Sequence, residues 1–523
     1  MKIKNLFVGM LAGAAMVACT NEEFDSNVNN AIQTGEKGYV AVNIVAPSAT
    51  RSTFEPGSDA EVKVTDAVFL FLDKDLNGCA NPYLCSEGLD FSDAEGEGLD
   101  KEATVLVIDG AKEVPSYIVA VLNPVATYTA TTGLADLKAE HATYTTYTTE
   151  GAFVMSNAVY KAENGKEVAA TPITMANIFS TSDEAKAAPV NIQVERVVAK
   201  VEVKALGTAA EGWEDTDDLD DGDKELTLVI DGWDILQNNQ SALVKNIDLA
   251  WEHTWWNSTS LKRSYWAKDY TGANRNELLI DDMSEASFRY VEETVSQNAN
   301  TVEADNVNPY LVVAAHFEAD GKAISLVEWR GRKYTLDGYL NFIAGNSKLS
   351  QYWYKKVNAD ETVQYLQFST ALLEMVDDEA TDWKAAAQLT SEAAAYEYYT
   401  CNYGANGKPV EGSWKAVVAD ADGKSPVAKA VAEFGDVQYW NGGRTYYYTP
   451  IKHQTVGTNN FYGVVRNHWY EVTINSISGY GTPVSNPGQA IEIPEKPVDD
   501  KSYLAAEVVI LDWALVQNEV NLN

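Results

Sequence analysis

The chain has 523 residues, 46% of them apolar and 11% aromatic, and a formal charge of −37. That length exceeds one ordinary core and implies two large domains or three small ones. So acidic a surface excludes nucleic-acid tracking, which needs Lys and Arg to displace counterions from phosphates; solubility and self-repulsion between crowded copies account for the acid. At the start, Lys2 and Lys4 precede an apolar run from Leu6 to Val17 that is too short to span a bilayer. Residues 1–18 therefore read as an export signal.

Met16-Val17-Ala18-Cys19 resembles the lipobox of bacterial lipoproteins, in which the cysteine is acylated and becomes the first residue; Met16 stands where Leu is usual. Each buried acyl CH₂ adds roughly 0.8 kcal/mol, so several chains anchor firmly. The acidic run Asn21 to Asp25 resembles the tether of surface-exposed lipoproteins. Val40, Val42 and Ile44 alternate along a first strand. After it comes a loop of small and turn-forming residues around Arg51 and Ser52, and Arg51 is the only arginine among the first 195 residues. Exposed loops of this kind are where proteases cut most easily, and a trypsin-like enzyme needs that one basic residue.

Strand signals follow over 61–72, 103–108, 116–122, 151–156 and 190–203, with a short helix expected near Leu134 to Glu140. Asp73 to Gly78 starts like a calcium loop, but its twelfth position is Leu84 and strands flank it, so a hairpin turn is the better reading. Cys79 and Cys85 lie close together in an exported chain, which favours a disulfide worth about 2 kcal/mol; Cys401 is left over and expected to be buried. The acidic, turn-rich stretch 204–224 reads as the domain boundary. Beyond it, aromatics gather at Trp251, Trp255, Trp256 and Trp266, and helical spacing is expected over 369–375 and 381–395. Strands return from Thr445, with a last long one over 464–477. Residues 486–502 carry Pro487, Pro494 and Pro497 and suggest an extended, semi-rigid spacer.

The segment 503–523 is rich in β-formers and free of Gly and Pro, and its part from Val508 to Leu522 carries nine large apolar side chains: Val508, Val509, Ile510, Leu511, Trp513, Leu515, Val516, Val520 and Leu522. Their full burial could contribute on the order of 15–25 kcal/mol as an upper bound, and ordering the backbone costs a similar amount. No metal-ligand spacing joins His141, His253, His316, His453 and His468, and no nucleotide-binding or nucleophile-elbow motif occurs. Nothing points to an enzyme, a cofactor or a metal.

Four features coincide: the lipobox at Cys19, the lone Arg51 after a first strand, the segment from Val194 through Arg196 to Val201, and Val464-Val-Arg466-Asn467-His-Trp-Tyr470 followed by a spacer and a terminal strand with Trp513. Together they resemble the fimbrillin shaft subunits of type V pili, most of all the Mfa-type major subunit. The resemblance implies an all-β fold of two tandem transthyretin-like β-sandwich domains, over 52–204 and 205–485, the second with helical and aromatic insertions. It also implies a lipidated propeptide over 19–51 and a C-terminal donor strand. In such a protein an outer-membrane lipoprotein precursor, palmitoylated at Cys19, is cut by an arginine-specific protease between Arg51 and Ser52. The strand carrying Val40, Val42 and Ile44 leaves, and another copy's donor strand fills the groove. The contact is head-to-tail and does not close, so it makes a homopolymer, joined by anchor and tip subunits in a surface fimbrium that supports adhesion. Two alternatives stand beside this one: a tip or accessory subunit, and a monomeric surface lipoprotein that binds glycans or host proteins through the Trp251–Trp266 aromatics.

Overall fold

The computed structural model describes residues 37–45, 54–56, 58, 61, 63–86, 104–149, 152–161, 167–208, 210–211, 213–214, 219–220, 222, 224–246, 274–295, 308–358, 360–377, 383–421, 423–456, 458–494 and 503–514. The fold is all-β with short helices, arranged as β-sandwiches with separate cores.

Strands of the first sandwich are β1 (Gly38–Val45), β3 (Ala67–Leu72), β4 (Tyr83–Cys85), β5 (Thr104–Ile108), β6 (Tyr117–Leu122), β7 (Met155–Asn157) and β8 (Val190–Arg196); a short strand β2 (Phe54–Pro56) belongs elsewhere. Their order is β4-β3-β6-β7-β8-β1-β5. The strand β8 serves two layers. Its first half, Val190 to Gln193, pairs with β1, and its second half, Val194 to Arg196, pairs with β7. A strand that changes partner midway turns one hydrogen-bonded path into two facing layers. Helix α1 (Leu134–Ala139) falls where the sequence predicts it, and Leu134 and Leu137 seal one end of the core. Helix α2 (Tyr144–Tyr147) follows, and α3 (Ser182–Lys186) lies against β1 and β5.

The chain leaves this sandwich at Val197 and Val198, and β9 (Ala199–Lys204) already belongs to the next one. The handover thus falls inside the alternating stretch 190–203, ahead of the acidic connection read as the boundary. The second sandwich adds β10 (Leu226–Leu236), β11 (Phe288–Val291), β12 (Tyr310–Ala319), β13 (Arg444–Pro450), β14 (His468–Ser478), β15 (Thr482–Pro483) and β16 (Tyr503–Ala514). One sheet runs β11-β9-β14-β16-β2 and the other β10-β12-β13-β15. Val201, Tyr470, Val472 and Ile474 of the first face Ile235, Leu311, Val313 and Tyr447 of the second.

Between β12 and β13 the chain builds a third core over residues 326–440, around Val327, Tyr339, Ile343, Leu349, Val427 and Val431. It carries a five-stranded and a four-stranded sheet with helices α4 (Leu336–Gly345), α5 (Ser391–Ala394) and α6 (Pro426–Ala432). Both helices expected here from spacing are corrected. Residues 373–377 and 384–389 are paired strands, and only a single turn, Thr370–Leu372, and the short α5 are helical. The alanine run is buried in alternation, Ala385 and Ala387 inward, because α6 packs on that strand and small side chains let it approach. Propensity yields here to packing.

Cys79 and Cys85 are not joined. The backbone amide of Cys79 donates to the carbonyl of Phe71, whereas Cys85 pairs with Ala67, four residues further along β3. At about 3.3 Å per residue the two sites are roughly 13 Å apart, far beyond disulfide reach. Cys401 is half-buried. The Asp73–Gly78 segment is a hairpin turn in which Asp73 Oδ1 accepts the amides of Asp75 and Asn77. No metal-ligating cluster occurs among the described residues. The first half of the spacer expected over 486–502 is packed: Ile491 is buried with Leu278 and Ile280, and its amide donates to the Leu278 carbonyl.

Candidate functional site: an inserted strand, a terminal strand and the seam between them

The strand β1 lies inside its sheet, parallel to β8 and antiparallel to β5. Val42 and Ile44 sit beside Val190 and Ile192 on one side, and Val40 and Val42 beside Leu106 and Thr104 on the other. Val40, Val42 and Ile44 are wholly buried in the core, as the alternation predicts. Ala41 is wholly buried as well, on the opposite face, and α3, whose Ala185 is also wholly buried, packs against the strand. Small residues at both positions allow the helix to cover the strand. Without β1, both β8 and β5 would show a free edge above an open slot in the core.

The strand β16 is antiparallel to β14 along its length, from Ser478 opposite Tyr503 to His468 opposite Asp512. Val508, Val509, Ile510 and Leu511 stand opposite Val472, Glu471, Tyr470 and Trp469. Leu504 is buried in the second core. At its far end β16 gains a second neighbour, since β2 runs parallel to it with Phe54 beside Asp512, Glu55 beside Trp513 and Pro56 beside Ala514. In this chain, then, the terminal strand lies on its own domain. Cys19, Arg51, Ser52, Leu515, Val516, Val520, Leu522 and the aromatics at 251–266 lie outside the described residues.

Between the two sandwiches runs a seam of buried ions. Arg196 has no exposed surface; its Nε donates to the Glu61 carbonyl at 3.0 Å and its amide to Asn467 Oδ1 at 3.2 Å. Asn467 takes a left-handed φ of 57° and returns its own amide to the Val198 carbonyl. Arg466 donates to Glu293 at 2.8 Å and to the carbonyls of Leu243 and Ala242 at 3.0 and 2.8 Å. Lys245 lies 3.6 Å from Glu195 and 3.8 Å from Glu293. Lys200 pairs with Glu61 at 3.1 Å and sits over the ring of Trp469. Burial by itself would raise the Glu61 carboxyl. Hydrogen bonds from Tyr290 and the Ser58 amide, with the Lys200 charge, outweigh it and hold the group below its ordinary range. Glu292 is the reverse case: burial pushes it up to about 7, although the Tyr144 amide donates to it.

Two segments singled out in the sequence, around Arg196 and around Arg466-Asn467, meet at this seam. Their partners Glu61, Lys245 and Glu293 were not singled out. The legible signal was charge embedded in otherwise apolar strands, as at Glu195-Arg196, which costs too much to bury unless paired.

Residues 438–519 match the family described as major fimbrial subunit protein type IV, fimbrillin, C-terminal. Over this C-terminal stretch the chain is similar to the fimbrillins. The matched span takes in β13, β14, β15 and β16, so it includes the terminal strand and its partner. No curated protein matches. Among solved structures, a candidate cell adhesion protein from Parabacteroides distasonis is 9% identical, with a TM-score of 0.35, covering 92% of this chain and 98% of its own. Another from Bacteroides eggerthii is 11% identical with a TM-score of 0.29, covering 91% and 97%. A fimbrial assembly protein from Parabacteroides distasonis is 10% identical with a TM-score of 0.25, covering 70% and 95%.

Proposed function

We propose that this chain is a fimbrillin shaft subunit, of the Mfa type, that polymerises by protease-triggered strand exchange. The precursor is exported and held at the outer membrane by acyl chains on Cys19. An arginine-specific protease cuts between Arg51 and Ser52, and β1 leaves with the lipid. The terminal strand of another copy, through Val508 to Leu522, then fills the slot between β8 and β5. Head-to-tail repetition produces the filament, which anchor and tip subunits complete.

The observation that carries this reading is the position of β1: inside a sheet, yet next in sequence to the lone early arginine. Val40, Val42 and Ile44 are each worth about 1.5–3 kcal/mol of burial, so an emptied slot is costly until another apolar strand enters. Ladder hydrogen bonds to β8 and β5 would then hold the newcomer on both edges, and alternate side chains would select it. Until the cut, β1 acts as an internal cap against early assembly.

N-terminal sequencing of protein displayed on the cell surface tests the proposal. The expected first residue is Ser52, and Arg51→Ala is expected to leave uncut, lipid-bound monomer. Monomeric surface material with residues 19–51 still attached would overturn it.

A further inference from the structure

We propose that the segment Phe54–Pro56 guards the far end of the C-terminal strand in the uncut chain, so that one break after Arg51 loosens the donor as well as the plug. This rests on the strand-exchange reading. The sheet order β11-β9-β14-β16-β2 makes β2 the outer neighbour of β16. The two pair only at Asp512, Trp513 and Ala514, the last residues of the strand. On the other edge, the pairing with β14 ends at His468 opposite Asp512. Trp513 and Ala514 therefore have β2, and not β14, as their ladder neighbour. The end of the donor strand is held by the front of the mature chain.

The segment β2 is tied down on both sides. Behind it, Glu61 is fixed at the seam: its carbonyl accepts Arg196 Nε at 3.0 Å and its carboxylate takes Lys200 at 3.1 Å. Ahead of it, β1 is locked into a different sheet of a different domain, covered by α3. A parallel pairing of three residues is too short to stand unaided, since isolated short ladders are marginal in water. What keeps it formed is that both ends of the arm are anchored, which limits the conformations it can escape to. Cutting after Arg51 removes the anchor at β1 and leaves that at Glu61. The arm then keeps its place at the seam but gains a free end, and pairing at the tip of β16 is lost first. Plug release and donor release thus follow from one peptide bond.

The test is native-state hydrogen exchange read by mass spectrometry on the full precursor, on the same protein cut at Arg51 by an arginine-specific protease, and on uncut Glu55→Pro. Proline at position 55 removes the central amide of β2 and sits at a sheet edge, where folding tolerates it. Exchange over 510–514 is expected to rise at least tenfold on cutting and in uncut Glu55→Pro, with 470–474 of β14 unchanged in both. Unchanged exchange over 510–514 in uncut Glu55→Pro would overturn the guard, and so would unchanged exchange after cutting. Polymer formation is scored separately. If cut subunits polymerise while exchange stays flat, the guard fails and strand exchange stands; if exchange rises but no polymer forms, the guard stands and strand exchange fails.

Discussion

Arg466→Met removes the central cation of the seam while keeping most of the side-chain volume. The guanidinium makes a hydrogen bond to Glu293 at 2.8 Å and two more to the carbonyls of Leu243 and Ala242, all buried. Methionine replaces none of them. Glu293, whose side chain is 4% exposed, would keep, among the described residues, Lys245 at 3.8 Å and the backbone amide of residue 466 at 3.3 Å. Breaking a buried pair from one side costs about 3–5 kcal/mol, because the remaining charge stays buried without its partner. Urea denaturation is the assay, and the midpoint should fall accordingly. The double variant Arg466→Met with Glu293→Gln should recover part of the loss, with a coupling of about 1–3 kcal/mol between the two sites. A loss below about 1 kcal/mol, or strictly additive effects, would refute the view that this network holds the two sandwiches together.

Two further outcomes follow from single groups. Glu292 is buried, and its folded value of about 7 lies above the ordinary 4.5, so its ionisation opposes folding. The penalty is absent at acid pH and grows as pH rises through that window, reaching roughly 3 kcal/mol above it. Glu292→Gln should therefore match the parent near pH 4 and exceed it near pH 8; a gap that does not change with pH would contradict the assignment. Burial pushes the Cys79 thiol up to about 12, so it should resist alkylation in the native protein and react only once unfolded. A peptide pair linking Cys79 to Cys85 and lacking the mass of two hydrogens would contradict the geometry of β3 and β4.

Much of the architecture was readable because sandwich strands carry a period of two. The alternation of Val40, Val42 and Ile44 correctly marked a strand buried on its core face, and Leu134 to Ala139 is the helix expected there. Alternation does not reveal where one sheet hands over to the next: 190–203 reads as one strand, yet the turn at Val197–Val198 divides it between two domains. The alanine run at 385–387 misled because its strand conformation is imposed by α6, a partner distant in sequence. Helix α4 went unnoticed although Thr335 caps it by accepting the Gly338 amide, a local signal that could have been found. The seam was half visible. Arg196 and Arg466 stood out, but Glu61, Lys245 and Glu293 acquire meaning only from contacts that no spacing encodes.

The third core departs from β12 and returns at β13, and those strands are hydrogen-bonded neighbours from Tyr310 opposite Pro450 to His316 opposite Arg444. In a fibre of the proposed kind, tension reaching either strand would cross to the other through that ladder, leaving residues 326–440 off the load path. The insertion can therefore change in size or sequence without altering that ladder, and selection by whatever surrounds the cell could reshape it while the two sandwiches keep their strength.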